Sequence, residues 1–145
     1  MKKFITLNKY GELYIDKILF ETYFPIIFTC KNENNDIFIC VCCQCNENGC
    51  KWLVGRTNGS FIVRMLQNEI TIRQLLLDCC TEKISVDYKN QEYAIAYNNS
   101  DWNEESDYLP KKDAYIDAEG GEFDEEIAYF SSIEHVEYNE EYYKI

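Results

Sequence analysis

Three apolar runs separated by two polar, turn-rich gaps occupy residues 25–54, and they limit what this chain can become. In PIIFTCKNENNDIFICVCCQCNENGCKWLV the runs are 26–30, 37–45 and 50–54, and the gaps are 31–36 and 46–49. Short β-rich runs bounded by Asn, Asp and Gly clusters are the signature of hairpins. The stretch therefore predicts a three-stranded antiparallel meander. Its middle run is apolar at nearly every position, which predicts a strand buried on both faces between two layers.

Residues 13–20 mix alternation (Leu13, Ile15, then Ile18, Phe20) with polar Asp16 and Lys17 and predict a first strand, with a short helix as the alternative. Phe24-Pro25 ends it, because a residue before proline avoids the helical region. Beyond the meander, Asn58 or Ser60 is placed to cap a helix reaching Gln67, with Phe61/Met65 and Ile62/Leu66 as i,i+4 apolar pairs. Thr71-Ile-Arg-Gln74 is a capping box, and Ile70 and Leu75 stand where a hydrophobic staple needs them. Leu75, Leu76, Leu77, Cys79 and Cys80 make this second helix apolar over most of its girth, so it is expected to pack on the sheet. Ile84/Val86/Tyr88 and Tyr93/Ile95/Tyr97, alternating around the gap 89–92, predict a second hairpin with one solvated face. The expected fold is α+β: a twisted, mainly antiparallel sheet of about five strands, two short helices on one face, and an acidic C-terminal extension.

Charge divides the chain near residue 100. Residues 1–100 carry 11 basic and 11 acidic side chains, whereas 101–145 carry three basic and 15 acidic, which is the whole of the net −12. We read 1–100 as an α+β core and 101–145 as an acidic, aromatic-rich segment packed on the same domain. Its aromatic content argues against plain disorder. Phe123, Ile127 and Phe130 have helical spacing, with Asp124, Glu125 and Glu126 in the first turn, where the helix dipole favours them. Direct binding of nucleic acid is disfavoured, because it requires Lys and Arg to neutralise phosphates. An acidic end suits a basic protein partner instead, including one that itself handles nucleic acid. The candidate contact residues are Glu104, Glu105, Asp107, Glu122, Asp124, Glu125 and Glu126, interleaved with Trp102, Tyr108 and Tyr115, since aromatic anchors inside a charged rim carry affinity. The competing expectation is a solvated face that only keeps the chain soluble.

The N-terminal MKKFITLNKYGELYID opens with two lysines after Met1 but has neither a sustained apolar run nor a small-residue cleavage site, and no run approaches the roughly 20 residues that span a bilayer. The expected location is the cytoplasm, where thiols stay reduced. Its eight cysteines are then expected as free thiols or metal ligands and not as disulfides. Cys40-Val-Cys42-Cys43-Gln-Cys45 holds two overlapping C-x-x-C spacings. Residues three apart on a regular strand point to opposite faces, so neither pair is expected to converge on a metal. Core cysteines are the expected reading. The alternative is a thiolate metal or redox site in which Cys40 and Cys42, sharing a face, are joined by Cys79 and Cys80.

No catalytic residue or cofactor is expected. His135, the single histidine, lies in Glu134-His-Val-Glu137 with no nucleophile context and is expected on the surface. Asn58-Gly-Ser60 and Gly120-Gly121 match neither a phosphate-cradling loop nor a dinucleotide fingerprint. The acidic stretch 113–126 has its glycine at the wrong offset for a calcium loop.

The pattern Leu13-Tyr-Ile-Asp-Lys-Ile-Leu19, Pro25-Ile-Ile-Phe-Thr-Cys30, Asn68-Glu-Ile-Thr-Ile-Arg-Gln-Leu75 and Tyr108-Leu-Pro110 resembles a family of small uncharacterised bacterial and phage proteins over residues 12–118. The resemblance implies no activity for any position, and neither the cysteine cluster nor the acidic end after Gly120 belongs to the family's pattern. In size and acidity the chain is also similar in type to phage-encoded inhibitors of bacterial defence and to small immunity proteins. Frequent Lys, Asn, Ile, Tyr and Glu suit an AT-rich bacterial or phage genome. The expected function is a non-enzymatic inhibitor or immunity-type factor that sets an acidic surface on a basic site of its target. A thiolate metal or redox module, an enzyme with dispersed carboxylates, and a structural assembly subunit are the alternatives.

Overall fold

The meander expected from residues 25–54 is the centre of a larger one. A computed structural model describes residues 2–89, 93–97, 102 and 109–133. Its strands are β1 (Lys3–Leu7), β2 (Gly11–Glu21), β3 (Pro25–Lys31), β4 (Ile37–Asn46), β5 (Gly49–Thr57), β6 (Glu82–Lys89) and β7 (Tyr93–Tyr97). Helices α1 (Gly59–Leu66) and α2 (Ile72–Asp78) lie between β5 and β6, and a third helix, α3, covers 124–133. The strands form one antiparallel sheet in chain order, β1 to β7. The α+β class stands, but with seven strands instead of about five and three helices instead of two. β1 is the strand that no sequence run marks, being short and close to the N-terminus; it pairs with the start of β2. The extra helix is α3, within the acidic extension, where Phe123, Ile127 and Phe130 have helical spacing.

Alternation sends the sheet's side chains into two cores. On one face Ile27, Ile39, Val41 and Leu53 pack against Ile62, Met65 and Leu66 of α1, Leu75 and Leu76 of α2, and Trp102, Leu109, Phe123 and Phe130. On the other face Phe4, Leu13, Phe28, Phe38, Trp52, Val54, Ile84 and Val86 form a second core, over which no helix lies among the described residues. The sheet closes this second core by coiling upon itself. Phe4 of β1 meets Tyr88 of β6 with ring centroids 5.7 Å apart, and the Tyr88 hydroxyl donates to the Phe4 backbone carbonyl. Register shifts along β2 at Ile15/Lys17, Ile18/Phe20 and Phe20/Glu21 supply the bend, since each bulge increases local twist. The result is nearly a barrel. β4, at its centre, is buried on both faces from Ile37 to Val41, as its composition predicts.

β7 reverses the expected orientation. Ala94 and Ala96 face the second core, opposite Tyr88 and Val86, while Ile95 and Tyr97 stand exposed. Where the coil closes, Phe4, Trp52 and Tyr88 already fill the interior, and a small residue on β7 is what fits.

The helix caps follow the sequence. The Asn58 Oδ1 accepts from the Phe61 N–H at 3.0 Å, and Thr71 and Gln74 form the reciprocal box at 3.0 and 2.9 Å. Thr71 is buried, so its removal also strands a donor. Thr71→Ala is expected to lower stability by about 1–2 kcal/mol in urea unfolding; an unchanged midpoint would contradict this account of α2. The chain then crosses α2 as a strap. The Ala114 carbonyl accepts from the Ile72 N–H at 3.1 Å, and Asn68 exchanges hydrogen bonds of 3.2 and 3.3 Å with the Ala118 backbone. The strap delivers Phe123 and Phe130 to the first core. Among the described residues no helix is long and apolar enough to cross a membrane.

Candidate functional site

The acidic edge is built at the start of α3. The Glu122 Oε1 accepts from the Glu119 N–H at 3.2 Å, closing the turn that starts the helix. The buried Phe123 and Phe130 fix one side of the helix. That leaves Glu122, Asp124 and Glu125 exposed, with Glu126 half-buried. Tyr129 orients α3 on the sheet: its hydroxyl donates to the Asp16 Oδ2 at 2.5 Å and accepts from the Lys31 Nζ at 2.9 Å, while the Lys17 ammonium lies 4.6 Å from its ring centre. Burial, then the hydrogen bond to the Asp16 carboxylate, pushes the Tyr129 phenol well above its ordinary range, so it stays a neutral donor. Tyr115 is exposed on the strap. None of Glu122, Asp124, Glu125 and Glu126 is ion-paired with a described cation.

Trp102 departs from its expected role. It is 2% exposed and packs in the first core, with the Lys83 ammonium 5.6 Å from its ring centre. An indole enclosed in this way anchors the chain to its own body and offers nothing to a partner. Glu104, Glu105, Asp107, Tyr108 and His135 lie outside the described residues.

The cysteines divide by face. Cys30 and Cys40 are buried in the second core, sulfurs 3.7 Å apart. Burial, then the Cys30 contact, pushes the Cys40 thiol well up. Cys79 and Cys80 pack on the opposite core. The Cys80 side chain lies over Gly55, where an added Cβ would come 2.4 Å from its sulfur, and burial pushes that thiol up to about 12. The grouping of Cys40, Cys42, Cys79 and Cys80 is therefore split by the sheet and holds no common ion.

A different set converges. Cys42 pairs with Trp52, but Gln44 pairs with Lys51, so Cys43 is an extra residue in β4. This bulge resets the alternation by one. Cys45, three residues after Cys42, returns to the same face, opposite Cys50. The sulfurs of Cys42, Cys45 and Cys50 lie within 4.8 Å of one another. Two sequence expectations are corrected here. C-x-x-C converges because the strand is not regular, and Cys45 and Cys50, expected as free thiols, are joined as a cross-strand disulfide. The displaced Cys43 turns to the first core and donates to the Lys51 carbonyl at 3.3 Å; burial pushes it up to about 11. Burial also raises the half-buried Cys42 thiol.

Beside the disulfide runs a groove of about 680 Å³ whose walls include Lys3, Phe24, Trp52 and Tyr88 along with Cys45 and Cys50. Tyr23, at the tip of the β2–β3 hairpin, is fully exposed. Sequence reading passed over this groove. Its one signal was the aromatic pair Tyr23-Phe24 in a turn, where polar residues are usual. No protein-family model matches the chain, and no curated protein or solved structure matches it either.

Proposed function

We propose that this chain is a non-enzymatic protein-binding factor of the inhibitor or immunity type, working in the cytoplasm and holding a basic site of its target with an acidic edge. The observation that supports this reading is the start of α3. Glu122, Asp124 and Glu125 are exposed together, on a helix whose apolar residues are committed to the core. A rigidly mounted group of carboxylates with Tyr115 on the same strap presents fixed negative charge, and such charge speeds and orients encounter with a basic surface. Among the described residues the site is local to 115–126 and does not include Trp102.

The test is the quadruple variant Glu122→Gln, Asp124→Asn, Glu125→Gln, Glu126→Gln. Its thermal midpoint should stay within a few degrees of wild type, because an amide oxygen at position 122 can still accept from the Glu119 N–H and exposed charges at a helix start are worth only about 0.3–1 kcal/mol each. Affinity for a basic protein that the wild type captures from a bacterial lysate should fall about tenfold or more, as desolvated charge pairs across an interface are lost. Full affinity in a folded variant would refute the acidic-edge reading.

A further inference from the structure

We propose that Cys42, Cys45 and Cys50, once reduced, form a three-thiolate site for a soft monovalent ion of the Cu(I) type at the end of the β4–β5 hairpin. One hairpin supplies all three ligands. Cys45 and Cys50 are paired directly across the strands, and the Cys43 bulge turns Cys42 toward them. Backbone pairing thus preorganises the site before any ion arrives. With metal–sulfur bonds near 2.3 Å, a planar three-sulfur site needs sulfurs about 4 Å apart. The present cluster lies within 4.8 Å, so side-chain rotation suffices once the disulfide opens.

Ligand number selects the ion. Among the described residues no histidine, carboxylate or fourth cysteine joins the group. Thiolates bind both Zn(II) and Cu(I), but zinc in structural sites takes four protein ligands, whereas Cu(I) is satisfied by three sulfurs. The surroundings tolerate the negative charge of three thiolates. Lys2 and Lys3 line the groove on one side of Cys50, and Lys51 and Lys89 line a second groove on the other, against the carboxylates of Glu47 and Asp87. Cys45 is exposed, so an ion can reach the site from solvent.

The chemistry balances with a named reductant. A dithiol or phosphine delivers two electrons, the Cys45–Cys50 S–S bond breaks, two protons from water or the dithiol complete two thiols, and the reductant leaves as its disulfide or phosphine oxide. Cu(I) then displaces the thiol protons without changing its oxidation state. Re-formation of the disulfide removes two of three ligands, so binding is confined to the reduced chain.

Full-length protein, reduced with a phosphine and kept free of oxygen, is titrated with Cu(I) against a chromophoric Cu(I) chelator. The expected result is a single ion withdrawn per chain, with thiolate-to-copper absorption in the ultraviolet, and none withdrawn while the Cys45–Cys50 disulfide is intact. Cys45→Ser, Cys50→Ser and Cys42→Ala should each abolish uptake, whereas Cys79→Ser on the opposite face should retain it. Circular dichroism identifies any misfolded variant, and the exposed Cys45 supplies the substitution least able to disturb packing. No uptake by the reduced wild type overturns the proposal. Uptake that survives Cys45→Ser, uptake lost equally in Cys79→Ser, or preference for Zn(II) over Cu(I) overturns it as well.

Discussion

Phe28→Ala is expected to lower the free energy of unfolding by about 3–5 kcal/mol, a large share of a domain's total stability. Phe28 is 1% exposed in the second core, with the Phe4 ring 4.9 Å and the Trp52 ring 5.1 Å from its own. Those partners come from β1 and β5, strands that do not pair with β3, so one side chain ties together three parts of the coil. Among the described residues no helix covers this face to collapse into the space. Truncation therefore loses transfer free energy, leaves a cavity, and removes the edge-to-face contact with Phe4 and the tilted contact with Trp52 together. Urea unfolding measures the effect, and Ile95→Ala on the exposed side of β7 provides the comparison. A loss below about 1 kcal/mol for Phe28→Ala would mean that the second core is not closed.

Gly49→Ala is the second large effect. Gly49 has φ +142°, and a Cβ there would stand 1.8 Å from the Tyr88 carbonyl oxygen and 2.8 Å from its carbon. The obstacle is backbone of β6, which cannot rotate away as a side chain could. The unfavourable φ alone accounts for about 1–3 kcal/mol, and the collision adds the displacement of β5 from β6 at the Gly49↔Lys89 pair. Loss of a folded, monodisperse product, or a fall of about 3 kcal/mol or more, is the expected outcome. Because Gly49 immediately precedes Cys50, any folded Gly49→Ala protein should also lose the three-thiolate geometry. A variant as stable as wild type would show that the hairpin end is positioned differently.

The parts legible in sequence are those set by local pattern. The double burial of β4 follows from a run with no polar alternation, the α2 cap from Thr71 and Gln74, and α3 from the spacing of Phe123, Ile127 and Phe130. What escaped depends on a partner strand. The bulge at Cys43 exists only as a mismatch against Trp52 and Lys51, and nothing in CVCCQC itself marks which residue is extra. β7 turned its alanines inward because Tyr88 and Phe4 had already filled the space. Trp102 sits in a polar run whose composition reads as surface, yet its burial is decided by α1, α2 and the strap. Site reading failed at the same level. Composition found the acidic end, while the meeting of Cys42, Cys45 and Cys50 required the register.

The central claim is that a fixed acidic edge holds a basic partner, and salt tests it most directly. Immobilised full-length protein would be exposed to a bacterial lysate at about 0.05 M and about 0.5 M salt, conditions that change the screening of exposed charge several-fold. The account predicts basic proteins retained at low salt, released at high salt, and not retained by the amide variant. Retention that is equal at both salt concentrations and equal for the amide variant would contradict it.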